Sequence, residues 1–370
     1  MCFSPPSCSS YSTRTVNIVL SCRIFIRQVG YIVKMHQIDI ISNRLMIYAG
    51  IIMYIFGTIG NILNIWVFYI WSRSPKRSHK HHKSGRTSNS SLYLLAASIA
   101  NLLVIIYPLL TRIMFDGYQY RVTLSNLFIL CKLRYYVLHT FDLISLTCIC
   151  LATFDRYLIS SRKVRLRELS TRRQRTKLII LFIVCSIGLH GIPIIIYYDV
   201  SNLGQCAILS TIYLYYYLYV IQIFFHGIIP IIFLSIFGLL TFQQLKKIER
   251  RHRRRRRHGG ISSEKQLSRM LLLMSIAIIL SSIPYCVEQV LNVLFIRDQR
   301  LKSSYFYLFH VISHILYYTN PVSSFYVYYI STPNFRILVQ KLIFCRRHVR
   351  YVVYYEVKTV TSSQSTSGVM

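Results

Sequence analysis

The sequence predicts an all-α membrane protein, a bundle of seven transmembrane helices, and three observations carry that prediction. Hydrophobic residues make up 54% of the 370-residue chain, yet Lys and Arg number 44 against 11 Asp and Glu. So much apolar surface needs an apolar medium, and so much charge needs water, so the two must be segregated along the chain. They are segregated: seven long, almost uncharged runs alternate with basic blocks, and the blocks fall mainly on one side of the runs.

A helical crossing takes about 18–20 mainly apolar residues, and the runs meet that length in order. Residues 45–72 carry no charge, nor do 87–111 and 178–198. The third run, Tyr135 to Phe154, holds one acid, Asp142, and the sixth, Met270 to Ile296, holds Glu288. Residues 200–245 are uncharged throughout, and a seventh run lies between Lys302 and Arg336. Helices are the expected form because a backbone facing lipid must satisfy its own hydrogen bonds.

Orientation follows from the bases. Six lie between runs 1 and 2, eight after run 3, eleven after run 5 and six in the tail, thirty-one together. The opposing loops hold five, Arg112, Arg121, Arg297, Arg300 and Lys302, besides Lys132 and Arg134 at the very start of the third run. The C-terminus is therefore expected in the cytoplasm and the N-terminus outside, at a plasma membrane. The predicted division is an extracellular segment 1–44, a seven-helix domain 45–344 and a cytoplasmic tail 345–370. The first segment carries Arg14, Arg23, Arg27, Lys34 and Arg44, at odds with an outside location, and Met35 offers an alternative start. Arg23 and Arg27 break the apolar stretch 16–33, which speaks against an eighth crossing. The only Asn-x-Ser/Thr triplet, Asn89-Ser90-Ser91, falls on the cytoplasmic side.

Cys131 opens the third run and Asp155-Arg156-Tyr157 closes it. The twenty-five residues between Cys131 and Arg156 rise ~37 Å as a helix, one crossing and an end. Gly60-Asn61 lies in run 1, Pro230 in run 5, Pro284 in run 6 and Asn320-Pro321 in run 7, followed by Pro333-Asn334-Phe335-Arg336 and Cys345. In this order and spacing, from about Gly57 to Cys345, the chain resembles the rhodopsin-like (class A) G-protein-coupled receptors. The resemblance implies a disulfide between Cys131 and Cys206, and an activation switch built from Asp155, Arg156, Tyr157, Glu264, Pro284, Asn320 and Pro321. In that switch Arg156 is held between Asp155 and Glu264; simple charge relief within a basic loop is the alternative for Glu264. It also implies a short amphipathic helix after the seventh span, with Cys345 as a lipidation site, and an extracellular ligand and a heterotrimeric G protein as partners. No enzymatic role, cofactor or metal is expected.

Candidate ligand-binding residues are Asp142, Glu288, Tyr135, His139 and His314. An acid inside a membrane helix is costly and usually marks a function or a partner. Asp142 lies fourteen residues before Arg156, nearly the same helical face, and shares that stripe with Tyr135 and Ile149. The alternative for Asp142 is a structural hydrogen bond to a neighbouring helix or to water. Glu288, one turn outward of Pro284, is the second acid, and together the two suggest a pocket for a cation.

The chain departs from the family pattern at several points. Asn101 stands where run 2 usually carries Asp, and Ser281-Ser282-Ile283-Pro284 replaces the usual Cys-Trp-x-Pro. Asn-Pro-x-x-Tyr becomes Asn320-Pro321-Val322-Ser323-Ser324, with Tyr326 two residues late. No Lys lies between Lys302 and Lys341, so a retinal Schiff base is excluded there; His314 stands near that position. Leu138 occupies the place where amine receptors hold Asp. Ser98-Ile99-Ala100-Asn101 and His190-Gly191-Ile192-Pro193 are similar to invertebrate FMRFamide-type neuropeptide receptors, which implies a peptide ligand with an Arg for Asp142 or Glu288. The rivals are a receptor that no longer signals and a seven-helix transporter or channel. The Arg250–His258 run would suggest nucleic-acid binding in a soluble chain; between two crossings, attraction to anionic lipid or contact with a signalling partner explains it instead.

Overall fold

The computed structural model of the chain describes residues 9–73, 89–120, 123, 126–161, 173–200, 206–254, 263–294 and 304–343. Cys345, the tail and most of the basic blocks lie outside these residues, as does the side chain of Glu264.

Among the described residues seven long helices form, as expected. They are α1 (Ser9–Arg73), α2 (Ser90–Gly117), α3 (Phe128–Ser160), α4 (Arg173–Tyr197), α5 (211–254), α6 (Ser263–Leu294) and α7 (Ser304–Ser331), followed by the short α8 (Pro333–Ile343). Helix α1 begins at Ser9, so helix runs through most of the segment 1–44, and its membrane-length apolar part is Met35–Arg73. Six helices among the described residues are long and apolar enough to cross a membrane. The seventh, α7, has the length, 28 residues, or ~42 Å. Tyr, Ser and His make it less apolar, and several of them turn toward the bundle: Ser313, His314, Tyr317, Tyr318 and Ser324 are buried.

The bundle turns its apolar side chains outward where it meets lipid. On α1, Ile51, Ile52, Ile55, Phe56, Ile59 and Ile62 are exposed, and on α4 only 11% of the apolar window is buried. Such a surface would be a liability in water; in a bilayer it is the solvated face. Cys185 on α4 belongs to this outer surface, whereas Cys148 and Cys150 on α3 are buried packing residues.

At the inner end the core is apolar. Phe68 packs edge-on against Tyr328 at 5.4 Å, and Phe335 of α8 lies 5.9 Å from Phe68 and 5.8 Å from Trp71. Phe335 and Val339, four residues apart, anchor α8 to the bundle while its other face carries Arg336 and Lys341. Helices α1 and α7 approach closely at Gly60, where an added Cβ would stand 2.9 Å from Phe325 Cβ. Next to it, Asn61 Nδ2 donates to Pro321 O at 2.9 Å. That bond crosses to α7 at the Pro321 position, where the helical ladder is already interrupted because proline lacks an N–H.

The outer end is covered by a hairpin between α4 and α5. Strand β1 (Tyr198–Val200) pairs antiparallel with β2 (Cys206–Ile208), Val200 opposite Cys206. Cys206 is disulfide-bonded to Cys131 of α3, with Cα atoms 5.7 Å apart, within the usual range for a disulfide.

Candidate functional site: a polar network between α3, α5, α6 and α7

The expected ligand-binding residues converge on one network in the outer half of the bundle. Asp142, 3% exposed, accepts a hydrogen bond from the Tyr317 hydroxyl of α7, and His226 Nε2 of α5 lies 3.5 Å from its Oδ2. The helices around Asp142 are thus α3, α5 and α7. The bond from Tyr317 is of the kind the sequence left open as the alternative, a hydrogen bond to a neighbouring helix, but neither Tyr317 nor His226 was named there.

The reason lies in the geometry of α5. Over Tyr217–Ile228 its turns are widened, closing through i→i+5 bonds, and Pro230 just beyond cannot donate back to the carbonyl of His226. Wide turns bring residues five apart onto one face, so Tyr217, Gln222 and His226 all look inward. On an ordinary helix, at about 100° per residue, Tyr217 and Gln222 would point well apart.

His139 of α3 sits inside this face. It is hydrogen-bonded to the Tyr217 hydroxyl and to Gln222 Nε2 (3.1 Å to its Nδ1), and its ring meets His226 edge-on at 5.5 Å. Gln222 Oε1 in turn accepts from the Tyr285 hydroxyl of α6 at 2.5 Å. Tyr285 packs on Tyr317 at 4.3 Å and on His314 at 5.3 Å. The contacts close a ring: Asp142, Tyr317, Tyr285, Gln222, His139, His226 and back to Asp142. Four helices meet in it.

Glu288 extends the ring outward. It is fully buried, its Oε1 2.7 Å from His310 Nδ1 and its Oε2 3.6 Å from His314 Nε2. The His310 side chain is 27% exposed, which makes it the open edge of this group. Tyr135 stacks on Tyr198 of the hairpin at 4.2 Å and on His139 at 6.1 Å, linking the disulfide-held cover to the ring. Arg134, buried on α3, lies over the rings of Phe115 and Tyr135 at 4.6 and 5.1 Å. Of these, His310, Gln222, His226, Tyr285 and Tyr317 were not singled out in the sequence. His310 could have been: it precedes His314 by four residues, one turn on the same face.

At the inner end Arg156 is 1% exposed. Its Nε donates to Ser90 Oγ at 2.9 Å, and Ser90 Oγ donates to Asp155 Oδ2 at 2.5 Å. Ser90, the first residue of α2, therefore joins the pair that the sequence connected only to Glu264. Tyr157 packs on Phe237 of α5 at 5.5 Å. Asn101 of α2, in place of the usual Asp, accepts from Ser145 Oγ of α3 at 2.5 Å. Tyr326 turns to the outside of the bundle, its hydroxyl donating to Phe56 O of α1 at 3.3 Å.

A bundle of this form, with a polar network under a disulfide-held hairpin and a buried Asp-Arg pair at the opposite end, is a membrane receptor rather than a catalyst. The family model of the 7 transmembrane receptors (rhodopsin family) matches residues 60–323, and the chain belongs to that family. It is a multi-pass plasma-membrane receptor, not an enzyme, and its partners are a ligand and a heterotrimeric G protein. A comparison with curated proteins finds no match.

Proposed function

We propose that the receptor answers a cationic neuropeptide of the FMRFamide type, whose guanidinium is met by the buried acids of the outer network. The observation that supports this most is the chain of contacts from Glu288 through His314, Tyr285 and Tyr317 to Asp142. Both acids lie on the extracellular half, and guanidinium and carboxylate form two parallel hydrogen bonds when they meet. Glu288, beside the partly exposed His310, is the outer acid; Asp142 is the deeper one, and Tyr317 reports its state to α7. The hairpin and Tyr135 shape the entrance.

A signalling screen tests this reading. Cells expressing the chain from Met1 and from Met35 are exposed to amidated peptides ending in Arg-Phe-amide and to neutral peptides of the same length. Response to the former alone agrees with the proposal. Response only to ligands without a cation contradicts it.

A second reading, a receptor impaired in signalling, draws on the inner end. Tyr326 faces α1 rather than the bundle interior, and Ser281 and Ser282 stand where the family carries Cys and Trp. Basal and agonist-driven G-protein activation in the same cells separates the two readings.

A further inference from the structure

We propose that Glu288, His310 and His314 form a divalent transition-metal site, suited to Zn2+, between the outer parts of α6 and α7. Among the described residues these three bring one ligand atom each within 4.8 Å of one another. His310 and His314 are one turn apart on α7, their backbone positions about 6 Å apart along the axis, and their rings meet at 4.4 Å between centroids. Glu288 reaches across from α6 to both.

The donor set selects the metal. Two imidazole nitrogens and one carboxylate oxygen suit Zn2+ and its first-row neighbours, whereas Ca2+ takes six to eight oxygens and Mg2+ about six. Zn2+ with three protein ligands keeps a fourth position open. Bond lengths of about 2.0–2.2 Å in a tetrahedron put neighbouring ligand atoms roughly 3.3–3.6 Å apart. The carboxylate–imidazole distances here, 2.7 and 3.6 Å, run to the two different oxygens of Glu288. With one atom per residue the three lie within 4.8 Å, so seating the ion draws them together by up to roughly 1–1.5 Å through side-chain rotation.

The surroundings favour a fixed site with an entrance. Glu288 is fully buried, the His314 side chain is 9% exposed and the His310 side chain 27%, so the ion enters past His310 from outside. Tyr285 packs edge-on against His314 and Tyr307 stacks on His310 at 6.3 Å, holding both rings in place. Orientation of ligands by their neighbours is part of what makes a metal site bind. A proton shared between Glu288 and His310 is the competing arrangement, and the metal must displace it.

Bound Zn2+ would tie α6 to α7 at the outer end. It would also occupy Glu288, and so compete with a peptide guanidinium; this consequence rests on the function proposed above, whereas the metal site does not.

The experiment uses the full chain, purified in detergent without a polyhistidine tag. Thermal unfolding is followed against ZnCl2, with no peptide present. The background carries His79→Ala, His81→Ala and His82→Ala, which removes the histidine cluster of the first basic block as a competing ligand source. The expected result is a saturable rise in Tm, its midpoint moved at least tenfold to higher Zn2+ by His310→Asn and by His314→Asn. His310→Cys, which restores a ligand atom, should keep the parental midpoint within a few-fold. A parent whose Tm ignores Zn2+, or Asn variants with the parental midpoint, would overturn the site. Variants too unstable to purify are replaced by the Cys variant with Cd2+, whose softer preference should tighten binding at least tenfold over the parent; no tightening also overturns the site. Peptide signalling is scored separately. A chain that binds Zn2+ and ignores every cationic peptide contradicts the ligand reading alone, and one that responds to such peptides but not to Zn2+ contradicts the metal site alone.

Discussion

The outer and inner halves of the same seven helices are built on opposite plans. Outward of Pro284 and Pro321, the helices are joined by side-chain contacts: Asp142, His139, Gln222, Tyr285 and Tyr317 are linked across α3, α5, α6 and α7, and Glu288 meets His310 and His314. Inward of them, an apolar cluster of Phe68, Leu94, Ile149, Met270, Met274 and Phe335 fills the space. Among the described residues, buried charge there is confined to Asp155 and Arg156 around Ser90. A buried polar group must find partners or be strongly penalised, so each polar residue in the outer half constrains its neighbours, and the ring has few alternative arrangements. The apolar inner half is less directional and can slide. In the function we propose, the outer ring reads the ligand's chemistry and the inner core yields to it.

Substitutions in each half sharpen this contrast. The largest effect is expected from Cys206→Ser. Loss of the bond to Cys131 frees the hairpin and removes about 2–4 kcal/mol of stability, measurable as lost surface receptor and a lower Tm of the purified protein. Tyr317→Phe should follow. It keeps the ring packed on Tyr285 but withdraws the donor to Asp142, at a cost of about 1.5–3 kcal/mol for a hydrogen bond to a charged group. If Asp142 is instead neutral, the cost falls to about 1 kcal/mol, and the drop in Tm distinguishes the two. In the inner half, Ser90→Ala should cost about 1 kcal/mol and raise ligand-independent signalling, because Arg156 and Asp155 lose their shared partner on α2. The smallest effect is expected from Glu264→Ala. Because Arg156 is already bonded to Ser90, removal of Glu264 should shift the closed–open balance by only about 0.5–1 kcal/mol, roughly two- to fivefold in basal activity. Unchanged basal signalling at equal surface expression would leave Ser90 as the relevant partner.

These two halves were not equally legible in the sequence. Membrane spans are a property of length and apolarity along one dimension, so the crossings and the basic inner side could be read directly. Even α7, the least apolar, was visible as an uncharged run between Lys302 and Arg336. The α3 stripe was legible too, since fourteen residues return Asp142 to nearly the face of Arg156. What could not be read depends on departures from regular geometry or on distant pairs. Tyr217, Gln222 and His226 share a face only because α5 is widened before Pro230. Ser90 meets Asp155 across 65 positions of chain, a pairing that no local period announces. Tyr326 sits two residues past the family position, and that shift already turns it from the interior to α1.

The central claim, that the outer ring's acids read a cation, is tested most directly by a charge-paired dose response. Parent, Glu288→Gln and Asp142→Asn receptors, matched for surface expression, are compared with an Arg-Phe-amide peptide and with its citrulline analogue, which keeps the shape and loses the charge. The account predicts that the parent favours the arginine peptide by at least about tenfold, equivalent to ~1.4 kcal/mol, and that this preference disappears in one or both acid variants. An equal preference for arginine in the parent and in both variants would contradict it, and would leave Asp142 and Glu288 as structural members of the network.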